Sequence, residues 1–183
     1  MGNEGPDEGS GAPVTLQRGD GTHFASIPQL SDSMPFEAYW SPRPNWFLVS
    51  HHVGSFMDRP EIYEITKHGV VSHDEFRRQG LRLAQRRFPC LPQNHGDWAS
   101  GVTIGLSKDG RRLAWVFVTR TDMCSEDWGG KTVPFKDNWK NFLMISDVDS
   151  GKIVPGSVHY FEDPDHFKIP RDPLYDDIQY PPH

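Results

Sequence analysis

The chain has 183 residues, of which 36% are hydrophobic and 24% are charged, and this length accommodates one domain with its own core. No apolar run approaches the ~18 residues that a membrane-spanning helix needs, which excludes an integral membrane protein. The first residues contain neither the basic stretch nor the apolar stretch of a signal peptide. We therefore expect a cytoplasmic location by default, with export left open.

The net charge of −6 is concentrated at the two ends of the chain. Residues 1–20 have a net charge of −3 and residues 162–183 have a net charge of −4, so the body between them has a net charge of +1. A nucleic-acid-binding protein usually presents a concentrated basic face. We therefore expect neither a nucleic acid nor a membrane as partner.

The composition divides the chain into three segments. Residues 1–13 contain glycines and prolines but no Leu, Ile, Val or aromatic residue, which predicts a flexible tail. Residues 14–161 are predicted to form a single β-rich domain. Residues 162–183 combine acidic residues with prolines, which predicts an extended arm whose apolar side chains pack on the body.

Alternation of apolar and polar residues within the body predicts β-strands. The predicted strands are 46–52, 61–66, 101–107, 112–120, 141–146 and 152–154, with a short strand at Val70-Val71. Tight turns at 67–69, 107–110 and 147–151 connect successive strands, so the strands should pair as an antiparallel meander.

One helix is predicted over about residues 73–88. Ser72 and Glu75 fit a capping box, and Pro89 ends the run. The side of the helix that should face the sheet contains Phe76, Gly80, Leu81, Leu83, Ala84 and Phe88. The predicted fold class is therefore α+β, predominantly an antiparallel β meander with one well-capped helix packed on the sheet.

The chain contains little that resembles a catalytic or metal-binding motif. Gly130-Lys131-Thr132 resembles the end of a phosphate-binding loop, but Ser125 occupies the position of the required glycine. Cys90 and Cys124 are too few for a zinc site, and whether they form a disulfide is left open. We expect no catalytic residue, no metal and no cofactor.

Nine histidines leave an enzyme as an alternative. His51 and His52 lie in one predicted strand and should point to opposite faces of the sheet. A nucleophile and a base could come from Cys90 with His95, or from Ser50 with His51. This alternative is a small hydrolase or lyase with a histidine-centred site.

Six tryptophans suggest a second alternative, a carbohydrate-binding β domain that uses exposed indoles. The candidates for such a platform are Trp40, Trp46 and Trp128. The competing interpretation places Trp40, Trp46 and Trp115 in the core of a small β domain.

Two features favour a protein partner. The long segment 121–140 contains Trp128, Phe135 and Trp139 among acidic residues, a mixture that can place aromatic anchors within a charged rim. A second candidate surface is the stripe of Arg78, Arg82 and Arg86 on the polar side of the helix, which could meet an acidic partner. The alternative is that the stripe is only the solvated side of an amphipathic helix, which the acidic arm of the same chain could contact.

These features favour a non-catalytic, soluble interaction domain, for example an inhibitor or immunity-type protein that occludes another protein. The sequence leaves its oligomeric state open.

Overall fold

The computed structural model describes residues 13–31, 35–54, 57–89, 100–120, 139–161 and 168–179. The described ranges contain eleven strands and one α-helix. The strands are β1 (Pro13–Gln17), β2 (His23–Ser31), β3 (Phe36–Trp40), β4 (Trp46–Gly54), β5 (Met57–Thr66), β6 (Gly69–His73), β7 (Ser100–Ser107), β8 (Arg112–Arg120), β9 (Trp139–Asp147), β10 (His159–Phe161) and β11 (Ile178–Gln179), and the helix is α1 (Glu75–Arg87).

The strands form three antiparallel sheets in the described part of the chain. Strands β1 and β2 make a hairpin, and a four-stranded sheet has the order β3-β4-β5-β6. A five-stranded sheet has the order β10-β9-β8-β7-β11. The predicted α+β class with an antiparallel meander is confirmed.

Strand alternation divides the apolar residues of β4 between two clusters. Trp46 and Leu48 join the main core, where the four-stranded sheet meets α1 and the five-stranded sheet. Phe47 and Val49 point to the opposite face, where Ile27 of the β1–β2 hairpin covers them. We call the face covered by the hairpin the outer face of the four-stranded sheet.

Most of the predicted strands are confirmed; β8 has the predicted bounds, and the others are longer than the alternation indicated. β5 begins at Met57, before the predicted start at residue 61, and β9 begins at Trp139. The predicted strand at 152–154 is wrong, because only Ile153 forms an isolated bridge, to Ser146. The three predicted turns are present, and Gly151 has a positive φ of 67° in the turn after β9.

The helix packs on the sheet as predicted, but its start differs from the prediction. Phe76, Gly80 and Ala84 are buried. The capping box is wrong, because Ser72 lies in β6 and pairs with Tyr63 of β5. The ladder between β5 and β6 continues to His73, so Asp74 becomes the N-cap residue, and its side chain makes no capping hydrogen bond.

The last described segment covers the second face of the five-stranded sheet. Tyr175 and Ile178 are buried there, against side chains that include Val116 of β8. Strand β11 pairs with β7 through Ile178 and Gln179. The division into tail, body and arm stays a prediction, since residues 1–12, 162–167 and 180–183 lie outside the described ranges.

Within those ranges, no helix combines the length and apolar character that a membrane crossing requires.

Candidate interaction surfaces

The predicted arginine stripe lies on the exposed side of α1. The side chains of Arg78 and Arg82 are 56% and 59% exposed, and Arg86 is exposed as well. The opposite side of the helix is held against the sheet by Phe76, whose ring meets that of Trp115 edge to face with centroids 5.0 Å apart. The arginines therefore project from the side of α1 that faces away from the sheet.

Two carboxylates at the start of the helix neutralise part of this stripe. Arg78 contacts Asp74 at 2.8 Å and donates from Nε to Glu75 at 2.7 Å, and Arg82 reaches Glu75 at 3.2 Å. The hydrogen bond to Glu75 and the charge of Asp74 raise the pKa of Arg78, and the bonds that Glu75 accepts lower its own pKa. Arg86 is exposed, and no ion pair of its guanidinium group is found among the described residues.

The predicted aromatic anchors of segment 121–140 are not described. Trp128 and Phe135 lie outside the described ranges, and Trp139 is described only by its backbone, which pairs with Arg120 at the start of β9. The role assigned to these three residues stays a prediction.

A second surface lies along β3, a strand that the sequence pattern did not predict. Its residue Trp40 is 70% exposed, whereas Trp46 and Trp115 are 4% and 1% exposed. The interpretation that all three tryptophans fill the core is therefore wrong for Trp40. Strand β3 forms one edge of the four-stranded sheet, where no covering strand occurs in the described ranges, and its outer face is left partly open.

Beside Trp40 lies an apolar groove with a cavity volume of about 90 Å³. It is lined by Val14, Leu16, Ile27, Phe36, Ala38, Tyr39, Trp40, Phe47 and Val49. No carboxylate or amide side chain is among these residues, and sugar recognition beside an indole would need such groups. The groove therefore suits an apolar side chain better than a carbohydrate.

The hydrogen bonds of β3 show which of its backbone groups are directed outward. His52 N–H donates to the carbonyl of Pro35 at 3.1 Å, and Ser41 N–H donates to the carbonyl of Trp46 at 3.0 Å. In an antiparallel ladder the bonded positions alternate, so the odd-numbered residues of β3 face β4. The N–H and C=O groups of Phe36, Ala38 and Trp40 consequently point away from the sheet.

A buried polar cluster follows the groove along the outer face. Glu61 is 3% exposed and accepts hydrogen bonds from Arg59 Nε at 2.9 Å and from the Tyr63 hydroxyl at 2.5 Å. His51 is 7% exposed, and neither ring nitrogen has a hydrogen-bond partner among the described residues. Burial lowers the pKa of His51, which the Glu61 carboxylate opposes, and burial raises the pKa of Tyr63.

The predicted opposite orientation of His51 and His52 is confirmed, because His52 lies on the other face and contacts Asp58 at 2.8 Å. The side chains of this pair are 36% and 43% exposed, so they form no enclosed catalytic site. Cys90 and His95 lie outside the described ranges. The described residues contain no group of three or more His, Cys, Asp or Glu side chains that could hold a metal ion.

Comparison of the chain with protein-family models, with curated proteins and with solved structures finds no match.

Proposed function

We propose that this chain is a non-catalytic interaction domain that binds an acidic surface of another protein through the arginine face of α1. In the inhibitor or immunity setting, the bound domain would occlude its partner. The observation that carries the proposal is the excess of arginine on a helix whose other side is fixed in the core. Residues 74–87 contain five arginines against Asp74 and Glu75, which gives this segment a net charge of +3.

The chemistry of the face suits carboxylates. A guanidinium group presents planar donors that match a carboxylate in two parallel hydrogen bonds. The ion pairs that Arg78 and Arg82 make with Glu75 are exposed, and exposed pairs contribute only about 0–1 kcal/mol. Partner carboxylates can therefore replace them at little cost.

The experiment compares two triple variants with the wild-type chain as affinity bait in an extract of the native host. Arg78→Gln, Arg82→Gln and Arg86→Gln together remove the charge of the face but keep a polar side chain at each position. Lys67→Gln, Lys108→Gln and Lys152→Gln make the same charge change at exposed positions outside α1.

Mass spectrometry then identifies the retained protein, and calorimetry with that purified protein measures its Kd. We expect wild type and the lysine variant to retain the same acidic protein, with a Kd at least about tenfold weaker for the arginine variant. Unchanged affinity of a correctly folded arginine variant would refute the proposal, as would loss of binding in both variants to the same degree.

A further inference from the structure

Among the described residues, no strand pairs with the edge of β3 that faces away from β4. Phe36, Ala38 and Trp40 direct their N–H and C=O groups away from β4, and their side chains line the apolar groove on the outer face. Exposed edges of this kind pair readily with another strand. Both Phe36 and Trp40 are large exposed hydrophobic residues, at 36% and 70% exposure.

The strand is complementary to itself when a second copy approaches in the antiparallel direction. With the two-fold axis at Ala38, each Phe36 lies opposite the other copy's Trp40, and Ala38 lies opposite Ala38. All three residues have outward backbone groups, so each opposed pair can exchange two hydrogen bonds. Because residues that lie opposite each other share a face, the aromatic rings of both copies meet on the outer face.

We infer that β3 pairs with β3 of a second copy of this chain and joins the two four-stranded sheets across a two-fold axis. The contact is isologous, since the same residues are used on both sides. It covers Trp40 and completes the wall of the groove beside Phe47, whose ring lies 5.6 Å from that of Trp40.

The charges on β3 are compatible with pairing to β3 of a second copy. Glu37 is the only ionised side chain of β3, and the two-fold register places it opposite Tyr39 of the other copy rather than opposite the other Glu37. Within one chain the Tyr39 hydroxyl already donates to Glu37, and this hydrogen bond raises the pKa of Tyr39 to about 12. In the dimer, each Glu37 can accept this hydrogen bond from its own Tyr39 or, by exchange, from Tyr39 of the second copy.

The ends of the strand limit the assembly to two copies. Pro42 follows β3 closely at a position whose backbone would face outward, and it has no N–H group to continue the ladder. Pairing of the two β3 edges uses both of them and leaves no free β3 for a third copy. Since five residues from each copy make a small interface, we expect a reversible dimer that depends on concentration.

Sedimentation velocity of the full chain from about 1 μM to about 1 mM tests the inference. The first variant is Ala38→Pro, which deletes the outward N–H at the two-fold axis. Proline is tolerated on an edge strand when the missing N–H faces solvent, so this variant should fold. Circular dichroism checks the fold of each protein.

The second variant, Trp40→Lys, keeps the backbone and places a charge where the rings should meet. Lysine on an edge strand is a common natural device against strand pairing. Its matched control is Val158→Lys, which adds the same charge in place of another exposed apolar residue, one that is 37% exposed and outside β3.

We expect wild type and Val158→Lys to shift from monomer to dimer over the series. Ala38→Pro and Trp40→Lys should remain monomeric, or should dimerise with a Kd raised at least about tenfold. A wild-type chain that is monomeric throughout would overturn the inference, and that result is also expected if the edge accepts a strand of a different protein. A dimer that persists in both folded β3 variants would overturn it too. Neither outcome bears on the arginine face, whose residues are unchanged in these variants.

Discussion

Gly80 of α1 lies directly against the indole of Trp115 in β8, so closely that a Cβ at Gly80 would stand 2.6 Å from Cη2 of Trp115. The indole has little freedom to retreat. Trp115 is 1% exposed, and its Nε1 donates a hydrogen bond to Ser146 Oγ at 3.0 Å. The distance between helix and sheet is therefore set by the missing side chain of Gly80.

Gly80→Ala should destabilise the protein, although alanine is the better helix former. In an exposed helix the exchange gains about 1 kcal/mol. Here the added methyl group overlaps the rings of Trp115 and Phe117, and overpacking of this kind costs about 1–3 kcal/mol. Chemical denaturation should show a lower free energy of unfolding, and a midpoint at or above that of wild type would contradict the close contact.

A double-mutant cycle identifies the cause. Trp115→Phe removes the ring atoms nearest to Gly80, so Gly80→Ala should cost less in that background than in wild type. If Gly80→Ala lowered the free energy of unfolding equally in both backgrounds, overlap with the indole would not be the cause.

Ser72→Ala and Phe76→Ala should differ strongly in their effect on stability. Ser72 is an exposed residue of β6 and caps no helix, so its substitution should stay within about 0.5 kcal/mol of wild type. Phe76 is 2% exposed, and its truncation opens a cavity under the helix that should cost about 3–5 kcal/mol. Thermal unfolding measures the loss of stability in both variants. A large loss for Ser72→Ala would indicate that Ser72 caps the helix, as the sequence predicted.

Gly151→Ala and Gly21→Ala form a matched pair for separating backbone strain from overlap. Both glycines have a positive φ, at 67° and 82°, so alanine at either position should cost about 1–2 kcal/mol. A Cβ at Gly151 would also lie 2.5 Å from Cβ of Glu75 at the start of α1, whereas a Cβ at Gly21 meets nothing within 4 Å. Unfolding experiments should show the larger loss for Gly151→Ala. Equal losses would mean that the turn after β9 is not packed against the helix.

His51 should make the protein less stable in acid. Burial holds its pKa below the ordinary value of 6.5, so the unfolded chain binds a proton more readily than the folded one. Its contribution to stability is complete above about pH 6.5 and is lost as the pH falls through the lower pKa of the folded state. His51→Phe should reduce the loss of stability in this range.

The control for that measurement is His68→Gln, which changes an exposed histidine in the turn between β5 and β6. It should leave the dependence on pH unchanged. The free energy of unfolding is measured between about pH 5 and pH 7. If it depended on pH in both variants as it does in wild type, His51 would not cause the loss of stability in acid.

The sequence predicted the features that depend on neighbouring residues. Alternation in residues 112–120 led to β8 with the same bounds, because side-chain direction in a strand follows from position alone. The helical period likewise placed Phe76 inward and Arg82 outward on α1. The sequence did not predict β3, because Tyr39 and Trp40 interrupt the alternation of apolar and polar residues and the nearby Pro42 indicated a loop.

Other features depended on residues far apart in the chain. Ser72 and Glu75 carry the local signal of a helix start, but backbone pairing with β5 holds Ser72 in a strand. Trp40 and Trp46 have the same chemistry, yet Trp46 faces the main core while Trp40 lies on an edge that no described strand covers. The sequence by itself determined the local elements and the direction of their side chains. Only the tertiary structure decided which faces were covered, because burial requires a second surface and the packing of distant segments supplies it.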